Sequence, residues 1–100
     1  MSEKLYGPVH PGQILSEDFL QPLGISAYRL AQATGLSQTH ISQILHGKRA
    51  ITTTSGLRLS KALGLSERYW LNAQTRYNLE MEHDQHAAAL DHVQVLVGAA

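Results

Sequence analysis

Four polar side chains crowd into one short stretch: Gln38, Thr39, His40 and Gln43. A carboxamide carries a donor and an acceptor side by side, so Gln38 and Gln43 can each bond bidentately to adenine N6 and N7. The Thr39 hydroxyl can donate to a base edge, and its methyl can meet a thymine methyl. His40 can reach a base or a phosphate. Lys48 and Arg49 follow, and then the hydroxyl run Thr52, Thr53 and Thr54. Cations and hydroxyls in that place suit the phosphate backbone, which sets register without specifying bases. Arg29 lies upstream, where it could touch the flanking backbone. The competing account of all these residues is a solvated polar helix face, so their meaning depends on the elements that hold them.

The charge distribution favours a polyanion. Residues 21–66 carry Arg29, Lys48, Arg49, Arg58 and Lys61 with no carboxylate, a sum of +5, although the chain as a whole is neutral. Residues 1–20 sum to −2 and residues 67–100 to −3. A basic middle between acidic ends is the footprint expected of a nucleic-acid partner. Chance clustering of a few charges is the alternative. Arg58 and Lys61 are weaker backbone candidates, because their helix can face elsewhere.

Other chemistries find little support. With no cysteine, a disulfide framework, a cysteine zinc site and a thiol nucleophile are excluded. His83 and His86 stand at i, i+3 beside Glu80, Glu82 and Asp84, with His92 further on, but spacing fixes no third ligand, so no metal and no cofactor is expected. No Ser–His–Asp order, glycine-rich phosphate loop or H-E-x-x-H occurs, and no enzyme is expected. No apolar run reaches the roughly 18–20 residues of a membrane span. The first residues, MSEKLYGPVHPG, lack the pattern of a signal peptide, so the expected location is the cytoplasm.

The elements that must position the polar cluster are helical. Pro11 suits a first helical turn, and Ile14, Leu15, Phe19 and Leu23 share one face of a helix that Pro22 and Gly24 should end near Gln21. Ser26 is a good N-cap for a second helix, Ala27 to Thr34, with Leu30, Ala31 and Ala33 inward. Ser37 caps a third helix running to about His46, with Ile41, Ile44 and Leu45 buried, and Gly47 closes it. A fourth helix covers about Thr53 to Leu63, with Leu57, Leu59 and Leu63 apolar. A fifth opens at Ser66 and Glu67 and carries the stripe Tyr69, Trp70, Ala73, Tyr77 and Met81. The spacing Ala31, Gly35, Ile41, Ile44 fits two helices crossing steeply through a tight turn: a small residue, a left-handed glycine and two apolar pins. An ordinary helical hairpin shares that spacing. Given the steep crossing, the outward face of the third helix would lie in the major groove. A module with so few cations gains from twofold pairing, for which the aromatic stripe and the alternating Val93, Val95 and Val97 are the available surfaces. That valine alternation is strand-like.

Longer matches carry a family resemblance. The stretches HPGQIL, FLQPLGIS, LAQATGLSQTHISQILHGKRAIT, GLRLSKALG and RYWLNAQTRYNLE, from about His10 to Leu79, resemble a HigA-type antitoxin of the Xre-like helix-turn-helix family. His46 stands where the family often has asparagine. The resemblance implies an all-α, five-helix, lambda-repressor-like DNA-binding domain with its helix-turn-helix at helices two and three. It also implies a homodimer, double-stranded operator DNA as ligand, repression of the chain's own operon, and neutralisation of a HigB-type mRNA ribonuclease toxin. A stand-alone regulator without a toxin partner is the alternative, and an interaction domain that has lost DNA binding is a third. The expected division is a domain over residues 1–82 and a tail over 83–100, either helical extension or strand.

Overall fold

The first four helices each start at a capping side chain, and three of them stop at a left-handed glycine. The computed structural model describes residues 7–98, and these form five helices and no strand. The expected domain and tail limits, 1–82 and 83–100, run past the described residues at both ends.

Helix α1 covers residues 11–23 in three continuous segments. His10 precedes it, and its Nδ1 accepts the Gly12 N–H at 2.9 Å, taking up one of the donors a helix start leaves unpaired. After Pro11–Ile14 the helix widens into a π-helical stretch, Leu15–Leu20, and closes with Gln21–Leu23. The sequence placed the stop near Gln21, on the strength of Pro22. A proline normally clashes with the carbonyl four residues back. Here the hydrogen bonds have already shifted by a residue, Gln21 N–H donating to the Ser16 carbonyl. Pro22 therefore fits, and the helix ends at Gly24, whose φ of 66° is left-handed.

Helix α2, Ala27–Thr34, is capped by the Ser26 hydroxyl, which accepts the Arg29 N–H at 3.0 Å. Helix α3, Gln38–Leu45, is capped in the same way by Ser37, which accepts from His40 N–H at 3.0 Å. Helix α4, Thr53–Leu63, opens with a reciprocal capping box between Thr52 and Ser55. Helix α5, Tyr69–Asp91, is the longest.

The core gathers Leu15 and Leu20 of α1, Leu30 and Ala31 of α2, Ile41 and Ile44 of α3, Leu59 of α4, Trp70 of α5, and Ile51 from the loop before α4. Trp70 is fully buried and meets Phe19 and Tyr69 edge-on, at ring-centroid distances of 5.4 and 4.9 Å. Its place in the chain's own core removes it from the surfaces open to a second copy.

Three inward assignments change, the first at Leu23, which is exposed at the end of α1. Ala33 is exposed, and Thr34 takes the inner position. Its hydroxyl donates to the Leu30 carbonyl at 2.8 Å, so burying it leaves no unpaired polar group. Leu57 is exposed, whereas Ser55 and Gly56 are buried. The Ser55 side chain is satisfied by the cap, and Gly56 lets Ile51 and Leu71 approach closely. In the tail, α5 continues to Asp91, so residues 83–91 extend the helix. Residues 93–98 are irregular and pair with no strand among the described residues. Ala87, Ala88 and Ala89 favour helix strongly. His86, at φ −131° and ψ 29°, puts a kink in it. From Glu82 onward every described residue is exposed. The protruding end gives the molecule extents of 49 × 29 × 23 Å and a radius of gyration of 16.2 Å.

Candidate nucleic-acid interface

Helix α3 is pinned from below. Ile41 and Ile44 are both fully buried, and Ala31 on α2 is small enough to let the two helices close. Gly35, at φ 77°, makes the turn between them in a conformation that side chains rarely adopt. Arg58 on α4 fixes the same turn, its Nη1 donating to the Thr34 carbonyl at 2.8 Å. A third support comes from α1, where a Cβ on Gly12 would fall on the Ile44 carbonyl oxygen. The backbones of α1 and α3 are thus in contact with no side chain between them.

With its inner face held, α3 turns its amino end outward. Gln38 and Thr39 are exposed there. Gln43 is half-buried, and its Oε1 accepts from Arg49 Nη1 at 2.7 Å. His40 is half-buried, with its Nε2 shielded from solvent and without a hydrogen-bond partner. Burial, and then the nearby Arg49 guanidinium, lower its pKa below the ordinary imidazole value of 6.5. His40 is accordingly uncharged at neutral pH and sits closer to the body than Gln38 or Thr39.

The expected backbone contacts fall into two groups. Arg29, Lys48, Thr53 and Thr54 are exposed on α2, in the loop after α3 and in the first turn of α4. Arg49 and Thr52 already have intramolecular roles: Arg49 holds Gln43, and the Thr52 hydroxyl accepts the Ser55 N–H at 3.3 Å. Arg58 is committed to the turn. The intervening loop is tied down by a residue the sequence reading passed over. Gln74 on α5 is buried, and its Oε1 accepts the Ile51 N–H at 2.8 Å while its Nε2 donates to Asn78 Oδ1 at 3.0 Å. A signal was available, since Gln74 interrupts the stripe between Trp70 and Tyr77 with an amide that has to be satisfied if it is buried.

Elsewhere the side chains make local structural bonds. His86 Nδ1 lies 3.2 Å from Glu82, and His92 Nδ1 lies 2.7 Å from the Ala88 carbonyl. Among the described residues no group of three His, Asp or Glu side chains is placed to hold a metal, and no helix is long and apolar enough to cross a membrane. An open groove of about 700 Å³ runs between Val9, Ile14, Tyr69 and Ala73. Arg76 and Glu80 on its edge lie 4.0 Å apart as an exposed ion pair.

Two short helices joined through a left-handed glycine, the second buried on one side and polar on the other, define a helix-turn-helix protein. The family model described as Helix-turn-helix matches residues 17–70. The chain belongs to the Xre-like helix-turn-helix family that includes the HigA-type antitoxins. It is 44% identical over 73 residues to virulence-associated protein I of Dichelobacter nodosus, covering 73% of this chain and 68% of that protein. It is 35% identical over 72 residues to antitoxin HigA-1 of Vibrio cholerae, covering 72% and 68%. Antitoxin GraA, solved in complex with its operator, superposes with a TM-score of 0.84 at 37% identity, over 91% of this chain and 93% of that one. Two of these three relatives, HigA-1 and GraA, are antitoxins.

Proposed function

We propose that this chain is a cytoplasmic operator-binding antitoxin that acts as a homodimer, represses its own operon and neutralises a HigB-type mRNA ribonuclease. One observation carries the DNA-reading half. Gln38 and Thr39 stand exposed at the amino end of a helix whose opposite face is fully buried. Gln38, Thr39 and Gln43 read base edges, with His40 at the margin of the contact. Lys48, Arg29, Thr53 and Thr54 hold phosphates, with Arg49 and Thr52 beside them. The toxin-neutralising half is supported by the similarity to HigA and GraA antitoxins. The surface for a second copy lies outside α2 and α3, among the exposed apolar residues Leu79, Leu90, Val93, Val95, Leu96 and Val97.

The test is binding to the DNA upstream of the chain's own gene, measured at several salt concentrations. Log affinity should fall linearly with log salt, because phosphate contacts release counterions. Gln38→Ala should cost roughly 1–3 kcal/mol against the preferred base and relax selection at one position. Unchanged operator affinity and preference in that variant would remove α3 as the reader. Co-expression with an adjacently encoded ribonuclease tests the second half. Rescue of growth supports the antitoxin, and the lack of such a gene would leave a stand-alone regulator using the same DNA surface.

A further inference from the structure

We propose that Arg49 is a positioning residue for base selection, which sets the Gln43 carboxamide so that it presents its N–H groups to DNA and recognises base acceptors. The inference rests on reading α3 as the DNA-contacting helix.

A free glutamine is ambiguous. Its carboxamide can turn over, offering oxygen or nitrogen outward, and the donor–acceptor pair it then presents matches adenine. Gln43 is not free. Its Oε1 lies 2.7 Å from Arg49 Nη1. A guanidinium has five N–H donors and no acceptor, so only the amide oxygen can face it. The choice between the two amide orientations is thereby made by chemistry. With the oxygen turned to Arg49, the Nε2 group is left for an outside partner, and no other hydrogen bond engages it within the described residues. The bases that accept in the major groove are guanine, through N7 and O6, adenine through N7, and thymine through O4. Cytosine presents a donor there and is disfavoured.

The arrangement also gives Arg49 a duty other than phosphate binding. It follows the turn after α3 and reaches back over that helix to Gln43, six residues earlier. It lies near enough to His40 to disfavour a charged imidazole. The side chain is thus folded over the Gln43–His40 side of α3. Lys48, its exposed neighbour, makes no such bond and remains the simple backbone cation.

The experiment is selection from a randomised operator pool, with the affinities of the selected sites measured across salt. The unsubstituted protein should disfavour cytosine at one position by about tenfold. Arg49→Ala should erase that preference and leave the slope of log affinity against log salt unchanged. In a Gln43→Ala background, Arg49→Ala should change base preference no further, because the group it orients is gone. Gln43→Glu keeps an oxygen for Arg49 but replaces the outward donor with an acceptor, so the preferred base should move to cytosine. Far-ultraviolet circular dichroism confirms that each exposed-site variant is folded. If Arg49→Ala weakens all sequences equally and lowers the salt slope by about 0.9, Arg49 is a phosphate contact and the proposal is overturned. Retention of the original preference in Gln43→Glu overturns it too. Absence of operator binding by the unsubstituted protein would overturn the reading of α3 together with this inference.

Discussion

Gln74→Leu isolates the bond that ties the loop after α3 to the body. Gln74 is 6% exposed and Ile51 3% exposed, and the 2.8 Å bond between them spans 23 residues of sequence. Leucine fills a similar volume and brings no polar atom, so the chief loss is the acceptor for the Ile51 N–H. A buried donor left unpaired costs about 1–3 kcal/mol. Taking about 2 kcal/mol, the melting temperature of a domain this size should fall by roughly 10 °C. Urea unfolding followed by circular dichroism supplies the free energy, and a lower midpoint at an unchanged slope marks a loss of native stability. The control is Asn78→Ala, which removes the other partner of Gln74 at an exposed position that water can reach and should cost clearly less than Gln74→Leu. The freed loop carries Lys48 and Arg49, so Gln74→Leu should also weaken operator binding and relax the base preference that Arg49 sets through Gln43. A midpoint equal to that of the unsubstituted protein, or an equal drop in Asn78→Ala, would refute the reasoning.

Further outcomes follow from contacts already described. Gly12→Ala should be among the most damaging single-methyl changes, since the added carbon meets the Ile44 backbone and not a side chain that can swing away. A loss of at least about 1–3 kcal/mol is expected, read by thermal unfolding. Arg58→Ala should cost about 1 kcal/mol in stability without altering the salt slope of DNA binding, whereas Lys48→Ala should lower that slope by about 0.9. His10 and His40 both have imidazole pKa values lowered by burial, with Arg49 adding to the effect at His40. The unfolded chain therefore takes up protons that the folded chain refuses. Stability should be intact above about pH 6.5 and decline as the pH falls below it. His10→Asn, which can still cap α1 but does not titrate, should shrink that decline in pH-dependent urea denaturation.

The parts of the structure written in neighbouring residues were legible in the chain. Ser26, Ser37 and Gly35 act within one helical turn, and each caps or turns where its chemistry requires. Ile41 and Ile44 lie inward because helical periodicity leaves them no other face. The polar face of α3 could also be read, as far as Gln38 and Thr39. Pairings set by packing were not legible. Arg49 and Gln43 each suit DNA as well as they suit each other, and only the fold brings them together. Thr34 lies inward in place of Ala33 because its hydroxyl bonds back to its own helix, an option a count of apolar residues overlooks. The π-helical stretch of α1 hid the tolerance for Pro22, because the usual proline rule assumes the tighter α spacing. Gln74 bonds a loop 23 residues away, a separation no local pattern spans.

The protruding end of α5 has a practical consequence for anyone counting subunits. A compact chain of this length would have a radius of gyration near 13 Å, against the 16.2 Å observed. Such a particle drags more solvent than a sphere of equal mass, so a lone copy passes through a sizing column ahead of its true weight and can masquerade as a pair. Light scattering or sedimentation equilibrium, which weigh the particle regardless of its outline, are the measurements that can tell one copy from two.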